Sequence, residues 1–251
     1  MFDPAKYATV TVVERRDISS DLWVIRIRPD SELAFRPGQY VTLGLQQDDH
    51  IVERPYSIVS APTEPEIELF LERVPGGELS EPLHQLGIGA QLAVRRRPKG
   101  LFLKDAPVDG QPHLLVATVT GVAPFLSMLR VLAGKWRNGE APENQRFMMI
   151  QGASHVHELG YETELRELDE ELPWFTYVPT VSRPWDNTEW TGETGRVEDV
   201  LRKYADEAGL RPGAGAIFLC GHPGMIHNAR AIMRRRGFDD KEIREEQYWP
   251  E

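Results

Sequence analysis

The hydrophobic pattern of this chain changes near residue 106, and this change constrains the fold more than any other feature. Before it, six short segments are rich in β-branched and aromatic residues, and several alternate apolar with polar side chains, as strands do. They cover residues 7–14, 22–28, 39–46, 51–60, 66–74 and 91–97. One helical segment, around 79–86, accompanies them. The first part therefore predicts an antiparallel six-stranded β-barrel.

After residue 106, apolar strands alternate with amphipathic helices, which predicts a parallel sheet covered by helices. We expect strands at 113–119, 146–151, 175–181 and 216–220, and helices at 123–136, 158–171, 196–207 and 224–236. This α/β arrangement is typical of dinucleotide-binding domains. We therefore predict two domains, a barrel over residues 1–106 and an α/β domain over residues 107–251.

Composition and charge argue against several classes of protein. No apolar run approaches the roughly 20 residues needed to cross a bilayer, and the N-terminus M-F-D-P-A-K-Y lacks the pattern of a signal peptide. The net charge of −10 argues against general nucleic-acid binding. Cys220 is the single cysteine, which excludes an internal disulfide and a four-thiolate cluster built from this chain. The seven histidines show no convincing zinc-binding spacing, so we expect no metal site. We also expect the protein to be cytoplasmic and monomeric.

Two basic runs oppose the acidic balance, R-R-R-P-K at 95–99 and R-R-R-G at 234–237. Such runs are usually solvated faces, and the alternative is a docking patch for an acidic partner. The second run ends a predicted helix, where cations interact favourably with the dipole, so it is explicable without a partner. The candidate docking surface is therefore the first run, with Arg95, Arg96, Arg97 and Lys99.

The stretch R-P-Y-S-I-V-S-A-P at 54–62 combines a cation, a phenol and hydroxyls within a predicted strand. A proline donates no ladder hydrogen bond, so this strand is not expected to be a central, fully paired one. Side chains alternate along a strand, so Arg54 and Tyr56 should project from the same face. That face suits a ligand that is anionic at one end and planar at the other. The alternative is an exposed arginine beside a tyrosine packed on the end of the barrel.

Two strand ends in the second part are candidate ligand sites, because open parallel sheets bind ligands at the carboxyl ends of their strands. The strand at 113–119 runs into T-G-V-A-P-F, where a glycine turn opens a helix whose N–H groups suit a phosphate. The strand at 216–220 ends in C-G-H-P-G-M. Its Cys220 is either a small core residue or a group held against a ligand.

Six motifs taken together resemble the bacterial ferredoxin/flavodoxin–NADP+ reductases, within the plant-type reductase group. In order along nearly the whole chain they are R-P-Y-S, V-P-G-G-E-L-S, T-V-T-G-V-A-P, T-V-S-R, C-G-H-P-G-M and E-E-Q-Y-W. The resemblance implies an FAD-binding barrel followed by an NADP(H)-binding α/β domain. It also implies an oxidoreductase in which hydride passes between nicotinamide C4 and flavin N5. Single electrons are then exchanged with ferredoxin or flavodoxin.

For FAD, the resemblance implies that Arg54 neutralises the pyrophosphate and that Tyr56 lies against the isoalloxazine ring. Ser57 approaches N5, which requires a bend because simple alternation turns it away from Tyr56. Ser80 is expected to cap a helix at the pyrophosphate turn, and Glu78 to contribute its backbone because its carboxylate would repel phosphate. The remaining FAD contacts implied are Pro55, Phe70, Leu71, Glu72, Arg73, Val74, Gly77, Leu79 and Thr120.

The C-terminal tail is implied to return to the flavin. Tyr248 would cover the ring face opposite Tyr56, and Trp249 would stack on the adenine. The alternative is a frayed polar tail, E-I-R-E-E-Q, that ends in two incidental aromatics. Two large rings exposed beside a free end would be unusual, so stacking is favoured.

For NADP(H), the resemblance implies that Ser182 and Arg183 hold the 2′-phosphate and that Arg196 is a second cation. Ser154 stands where a further basic residue is expected, with His155 beside it. Asp186 lies close to Ser182 and Arg183 in the sequence, and an acidic residue there would suit the ribose hydroxyl of NAD. The serine and arginine suit a phosphate, so NADP is favoured. The other coenzyme contacts implied are Thr120, Gly121, Cys220 and Gly221.

The glycine-rich turn departs from the family pattern, because V-T-G replaces G-T-G and places Val119 first. Valine cannot adopt a positive φ cheaply and adds bulk where a pyrophosphate or nicotinamide would approach. We interpret this as a changed approach to the NADP(H) pocket.

The residues implied around the hydride path are Ser57, Cys220 and Glu246, with Cys220 acting by contact and not as a nucleophile. Two other functions remain open. One is the reductase component of an oxygenase; many of these carry an iron–sulfur domain, which one cysteine excludes here. The other is a non-catalytic nucleotide-binding module that senses redox state and needs no accessible flavin N5.

Overall fold

The computed structural model describes residues 2–47, 50–104, 110–140 and 144–247. The chain forms two compact units. The first comprises Met1–Lys104 and Ala123–Val131, and the second comprises Asp105–Val122 and Leu132–Glu251. The first unit thus includes a helical segment from beyond residue 106. No helix in the described ranges is long and apolar enough to cross a membrane.

The first unit contains six strands in the order β4-β3-β6-β1-β2-β5, all paired antiparallel. They are β1 (Tyr7–Asp17), β2 (Leu22–Pro29), β3 (Tyr40–Gln47), β4 (His50–Ser57), β5 (Ile67–Glu72) and β6 (Gln91–Arg95). A short helix, α1 (Ser80–His84), lies between β5 and β6 in the chain. Beyond β4, Ile58 pairs with Leu69, and the Val59 N–H donates to the Glu68 carbonyl at 2.9 Å. This bridge joins the two ends of the sheet and closes the predicted barrel.

Strand alternation explains how the barrel fills its core. Val10, Trp23, Ile27, Leu43 and Val94 come from four strands, and each is almost fully buried. β4 stands at one end of the hydrogen-bonded order, so the proline within it needs no second ladder partner. The edge position predicted from that proline is confirmed.

A buried ionic cluster explains why the start of α2 (Ala123–Arg137) belongs to the first unit. Glu68, only 3% exposed, accepts bonds from Arg26 Nε at 2.7 Å and Arg130 Nη2 at 3.1 Å. Ser127 Oγ donates to the Ser60 carbonyl at 2.7 Å. Both of the helical residues, Ser127 and Arg130, therefore contact the barrel through polar groups with little exposure to solvent.

The second unit is a six-stranded parallel sheet in the order β10-β9-β8-β7-β11-β12. Its strands are β7 (Pro112–Thr118), β8 (Arg146–Ala153), β9 (Phe175–Val181), β10 (Glu193–Thr194), β11 (Ala216–Gly221) and β12 (Ile243–Gln247). The helices α3 (Glu162–Glu171), α4 (Val197–Glu207) and α5 (Pro223–Arg235) complete it together with the end of α2. Residues of α4 and α5, such as Leu201 and Ile226, pack with Val116, Ile150 and Leu219 of the sheet. The predicted α/β fold is confirmed.

Two edge strands were not predicted from the sequence. β10 has only two residues, and β12 is the polar segment I-R-E-E-Q that also suited a frayed tail. β12 pairs along β11 from Ile243↔Ile217 to Gln247↔Gly221. An edge strand can be polar where its faces are only partly covered: in β12 one residue is buried and the other four are half-buried or exposed, so an apolar pattern does not reveal it.

The strand order creates a switch point at β7. From β7 the chain builds outward through β8 and β9, and it then returns to form β11 on the other side of β7. Open α/β sheets bind ligands outside the carboxyl ends of the strands at such a point. The candidate nucleotide site of this unit therefore lies at the ends of β7 and β11.

Candidate functional site

Arg54 and Tyr56 lie on one face of β4, opposite Leu43 and Val41 of β3. Arg54 is exposed, whereas the Tyr56 ring is half-buried and packs against the barrel core. This burial raises the pKa of the Tyr56 phenol, so the ring stays neutral. A neutral ring fixed beside an exposed guanidinium fits a ligand with a flat part and an anionic part.

The Arg54 guanidinium reaches the turn after β5. Its Nη2 lies 3.0 Å from Glu78 Oε2, and its Nη1 donates to the Glu53 carbonyl at 2.8 Å. Gln47 Nε2 donates to the Glu78 carbonyl at 2.6 Å. The structure thus brings together the R-P-Y-S and G-G-E-L-S segments that the sequence assigned to one anion. The Glu78 carboxylate forms an ion pair with the Arg54 guanidinium. An exposed ion pair of this kind contributes only about 0–1 kcal/mol to stability, so a pyrophosphate can displace the carboxylate.

The prediction that Ser80 caps α1 is wrong. The cap position is Leu79, which is in a helical conformation, and no side chain caps this helix. Ser80 Oγ instead accepts from Val74 N at 3.0 Å and donates to the Val74 carbonyl at 3.3 Å. A Cβ on Gly77 would lie 2.4 Å from Ser80 Oγ, so the turn requires a glycine there. Ser80 therefore shapes this turn through the backbone of Val74.

The other residues predicted to contact FAD differ in exposure. Phe70, Leu71 and Leu79 are buried, Val74 is half-buried, and Pro55 and Glu72 are exposed. Arg73 is held by Asp21, with 2.8 Å between Nε and Oδ1. Ser57 is buried where β4 ends, and the chain there leaves β3 to pair with β5. This change of partner follows directly after Ser57, and the contact of Ser57 with the flavin stays a prediction.

At the switch point, two glycines allow the ends of β7 and β11 to approach closely. A Cβ on Gly121 would lie 2.2 Å from the Cys220 carbonyl oxygen, and one on Gly221 would lie 2.2 Å from Thr118 Oγ1. His222 N donates to the same Thr118 hydroxyl at 2.8 Å. Thr120 is buried in the single 3-10 turn Val119–Val122 that joins β7 to α2. The ends of β7 and β11 are thus held together at the switch point, where sheets of this kind bind a dinucleotide.

Val119 adopts the left-handed backbone conformation, with φ at +46°. A side chain with a Cβ pays about 1–2 kcal/mol for this conformation, and a β-branched residue adopts it rarely. The turn therefore keeps a conformation that suits the glycine of the family pattern and stores strain at the valine.

Cys220 and Glu246 are neighbours in the sheet. Cys220 is fully buried in β11, where it pairs with Ala117 of β7 on one side and Glu246 of β12 on the other. Residues in register on adjacent strands project from the same face, so the Cys220 and Glu246 side chains do so. Full burial agrees with a core residue as well as with a contact to a bound ligand, so both interpretations of Cys220 stand. Ser57 belongs to the other unit.

The residues predicted to bind the 2′-phosphate meet at the ends of β8 and β9. Ser182 N donates to the Ala153 carbonyl and Arg183 N to the Ser154 carbonyl, both at 3.0 Å. Arg183 is exposed, and Ser154 and Ser182 are half-buried. Arg196 is exposed at the start of α4, where its N–H donates to the Asp199 carboxylate at 2.8 Å. Two hydroxyl groups and an exposed guanidinium are thus available together at this edge, and they fit a phosphate.

Sequence reasoning missed the role of His155 in this group. Its Nδ1 lies 3.1 Å from Asp186 Oδ2, and its Nε2 lies 3.4 Å from Arg183 Nη1. Its ring also stacks on His157, with centroids 5.4 Å apart and planes 13° apart. The pattern H-V-H after one strand and S-R-P-W-D after the next contains these residues, but only the pairing of β8 with β9 brings them together.

Two residues of the first basic run, Arg95 and Arg96, bond to other residues of the first unit. Arg95 makes a two-pronged ion pair with Glu53, at 2.7 and 2.5 Å, and its hydrogen bonds lower the pKa of that carboxyl. Arg96 Nε donates to the Pro4 carbonyl at 2.8 Å. Arg97 and Lys99 are exposed. The predicted aromatic contacts of Tyr248 and Trp249 lie outside the described residues.

Comparison with known proteins identifies both units. An oxidoreductase FAD-binding domain matches residues 9–103, and an oxidoreductase NAD-binding domain matches residues 115–231. Ferredoxin–NADP reductase B of Sorangium cellulosum is 36% identical over 218 residues, which cover 85% of each chain. Phenol hydroxylase P5 protein of Acinetobacter pittii is 30% identical over 241 residues. That match covers 95% of this chain but only 64% of the relative, just under two thirds of its length.

The fold agrees with a solved structure. A ferredoxin NADP+ reductase from Neisseria gonorrhoeae with bound FAD and NADP superimposes with a TM-score of 0.83, over 97% of this chain and 99% of that one. At 22% identity this similarity concerns the fold. The two matched domains and the relative that is 36% identical over 85% of each chain lead to one conclusion. The chain belongs to the ferredoxin–NADP reductase superfamily of FAD- and NAD(P)-binding oxidoreductases.

Proposed function

We propose that this protein exchanges electrons between NADPH and ferredoxin or flavodoxin. The observation that carries this proposal is the 36% identity to a ferredoxin–NADP reductase over 85% of both chains. A shared fold alone would not carry it, since one fold can serve several reactions. The proposal therefore also depends on the chemistry that each group of residues offers.

Most of the residues assigned to FAD binding belong to the first unit. Arg54 exchanges the Glu78 carboxylate for the pyrophosphate, and the neutral ring of Tyr56 supports the flat part of the cofactor. The tight turn held by Ser80 and Gly77 presents its backbone to the phosphates. Tyr248 and Trp249 follow β12 in the chain and stack on the flavin and the adenine. The further contacts proposed are Pro55, Ser57, Phe70, Leu71, Glu72, Arg73, Val74, Leu79 and Thr120.

The second unit binds and orients the coenzyme. FAD, when bound, would supply the chemistry that couples hydride transfer from a nicotinamide to the transfer of single electrons. Gly121 and Gly221 hold the ends of β7 and β11 close together, because a Cβ on either would meet Cys220 or Thr118, and we assign the nicotinamide to the backbone at these strand ends. Cys220 positions the ring by contact, and Glu246, beside it in register, is assigned to the hydride path as well. Ser57 is assigned to the flavin. We assign no nucleophilic role to Cys220, since hydride transfer needs none.

NADPH is selected over NADH by the 2′-phosphate. Arg183 and Arg196 are exposed guanidinium groups, and Ser154 and Ser182 offer hydroxyls beside Arg183. Arginine suits phosphate because its planar fork donates two hydrogen bonds at once. Arg183→Ala should raise the KM for NADPH far more than the KM for NADH. An equal effect on both coenzymes would remove Arg183 from this role.

The electron carrier docks on the first basic run. Arg95 pairs with the Glu53 carboxylate, whereas Arg96 is exposed and bonds to two uncharged groups, the Pro4 carbonyl and the Ser31 hydroxyl. Arg96, Arg97 and Lys99 therefore contribute most of the positive charge of this surface. The net charge of the chain is −10, and a typical ferredoxin is acidic, so only a local basic surface can attract it.

A second function is the reductase component of an oxygenase. Two relatives favour it: Phenol hydroxylase P5 protein and the toluate 1,2-dioxygenase electron transfer component of Pseudomonas putida, which is 29% identical over 225 residues. The chain covers 64% and 62% of their lengths. In this case the acceptor would be an oxygenase or a domain attached to it.

The test begins with a visible spectrum of the purified protein and an anaerobic titration with NADPH and NADH. A flavin spectrum that NADPH bleaches, followed by electron transfer to ferredoxin or flavodoxin, is the expected result. Bleaching without transfer to either carrier would favour the oxygenase function. A colourless protein that takes up no FAD would contradict both and favour a non-catalytic nucleotide-binding module.

A further inference from the structure

We propose that Trp185 is the platform on which the adenine ring of the coenzyme stacks. This inference rests on the proposed function, in which Arg183 binds the 2′-phosphate of NADPH. It assigns a coenzyme-binding role to an aromatic residue that lies outside the six family motifs. Adenine is common to NADPH and NADH, so Trp185 contributes affinity for both coenzymes, whereas Arg183 contributes the choice between them.

Two tryptophans lie in the connection between β9 and β10, and they differ in environment. Trp190 is half-buried, its Nε1 donates to the Glu193 carbonyl at 2.9 Å, and its ring packs so closely on Gly192 that a Cβ there would lie 2.3 Å from it. Trp185 is 69% exposed, and it is the only exposed tryptophan in the part of the chain that the structure describes. A single exposed apolar side chain needs no explanation by itself, so the argument depends on where Trp185 lies.

Trp185 lies within reach of the adenine if Arg183 holds the 2′-phosphate. In NADPH the adenine is attached to C1′ of the ribose and the phosphate to C2′, so both groups leave neighbouring carbons of one ring. Trp185 follows Arg183 by two residues, so their Cα atoms lie within about 7 Å of each other. Both residues follow β9, at the carboxyl edge of the sheet, where a dinucleotide binds. A phosphate bound to Arg183 therefore brings the base close to the exposed indole.

The backbone of Trp185 is held in a short turn. The 3-10 turn Pro184–Asp186 begins with a proline of fixed φ, and Asp186 N donates to the Arg183 carbonyl at 3.3 Å. Asp186 Oδ2 lies 3.1 Å from Nδ1 of His155. A 3-10 helix has three residues per turn, so the Trp185 side chain points about 120° away from that of Asp186, and the histidine does not cover the indole. A tryptophan on fixed backbone has only two side-chain torsions to order when a ligand binds, which keeps the entropic cost low.

Stacking and charge make different contributions to coenzyme binding. An aromatic side chain recognises the face of a base, and this face is the same in NADPH and NADH. A guanidinium recognises the phosphate, which only NADPH carries at the 2′ position. Loss of Trp185 should therefore weaken both coenzymes by the same factor, whereas loss of Arg183 should weaken NADPH alone.

The experiment measures kcat and KM for NADPH and NADH in the FAD-loaded protein, with ferricyanide as acceptor. Trp185→Ala should raise the KM for both coenzymes by the same factor, about five- to fiftyfold, and leave kcat unchanged. Trp185→Phe should restore most of the affinity, because a phenyl ring also stacks on a base. Unchanged KM values in Trp185→Ala, or a Trp185→Phe variant as weak as Trp185→Ala, would overturn the inference.

Tryptophan fluorescence tests the stacking without turnover. In the FAD-loaded wild type, the tryptophan emission should change when AMP or adenosine 2′,5′-bisphosphate is added. This change should be absent from Trp185→Phe. Trp190→Phe is the matched control from the same connection, and it should keep both the change and the wild-type affinity for the two nucleotides. A full change in Trp185→Phe would show that the base binds elsewhere.

The Arg183→Ala variant separates this inference from the proposed function. A selective loss of NADPH affinity in Arg183→Ala, together with no change in Trp185→Ala, would refute only the stacking. An equal loss of both coenzymes in Arg183→Ala would refute the 2′-phosphate assignment, and with it the reason for placing the base at Trp185.

Discussion

Replacing Val119 with glycine should relieve backbone strain in the turn after β7. Val119 has φ at +46°, where a residue with a Cβ pays about 1–2 kcal/mol and glycine pays almost nothing. Glycine costs about 0.5–1 kcal/mol relative to alanine in ordinary backbone, because it gives the unfolded chain more freedom. The difference predicts that Val119→Gly is about 0.5–1 kcal/mol more stable than Val119→Ala. Comparing these two variants cancels the loss of the valine methyl groups.

The assay is urea unfolding followed by far-UV circular dichroism, at a fixed excess of FAD because ligand binding shifts apparent stability. The midpoint should move while the slope stays constant. Val122 lies in the same turn at φ −66°, so Val122→Ala and Val122→Gly form the matched control pair. There the glycine variant should be the less stable one. If glycine were also the less stable replacement at Val119, the strain argument would be refuted.

Three other predictions follow from ion pairs and charges. Arg54→Ala should weaken FAD binding about ten- to a hundredfold in a fluorescence titration. Glu78→Gln should tighten FAD binding, because it removes the carboxylate that competes for Arg54. Unchanged affinities would contradict the assigned anion site. Glu68→Gln should lower the free energy of unfolding by about 1.5–3 kcal/mol, because a buried carboxylate loses its charge-assisted bonds to two guanidinium groups, of which Arg26 keeps Glu14 and Arg130 keeps Glu64; a change below about 1 kcal/mol would show that the cluster contributes little. Replacing Arg97 and Lys99 with Glu should slow ferredoxin reduction at low salt and leave ferricyanide reduction intact. Added salt should bring the ferredoxin rates of the variant and the wild type closer together. An equal loss of rate with both acceptors would count against docking on this surface.

The architecture was predictable because strand and helix periods are local properties of the sequence. All six barrel strands and the four longer strands of the parallel sheet were found where the alternation predicted them. The edge position of β4 followed from Pro55 alone, through a missing hydrogen-bond donor. β10 and β12 could not be found in this way, because a two-residue strand has no period and a polar edge strand has no apolar pattern.

The choice of side-chain partners was much less predictable, because it depends on contacts between distant parts of the chain. Ser80 was expected to cap a helix from its position, yet its hydroxyl binds the backbone of Val74. Arg95 was grouped with a basic run, yet it pairs with Glu53, 42 residues earlier in the chain. In both cases the residue type suited the predicted role, and the fold offered a partner that the local sequence does not show.

The departures from the family pattern fall mainly on the coenzyme side of the molecule. The first unit keeps the R-P-Y-S and G-G-E-L-S segments and joins them through Arg54 and Glu78. The second unit has Val119 at a glycine-like φ, and it has Ser154 followed by His155 where a fixed cation was expected. Both changes lie at carboxyl ends of strands β7 and β8, where a dinucleotide binds in such sheets. We therefore expect this protein to differ from its relatives more in how it binds and selects the nicotinamide coenzyme than in how it binds FAD.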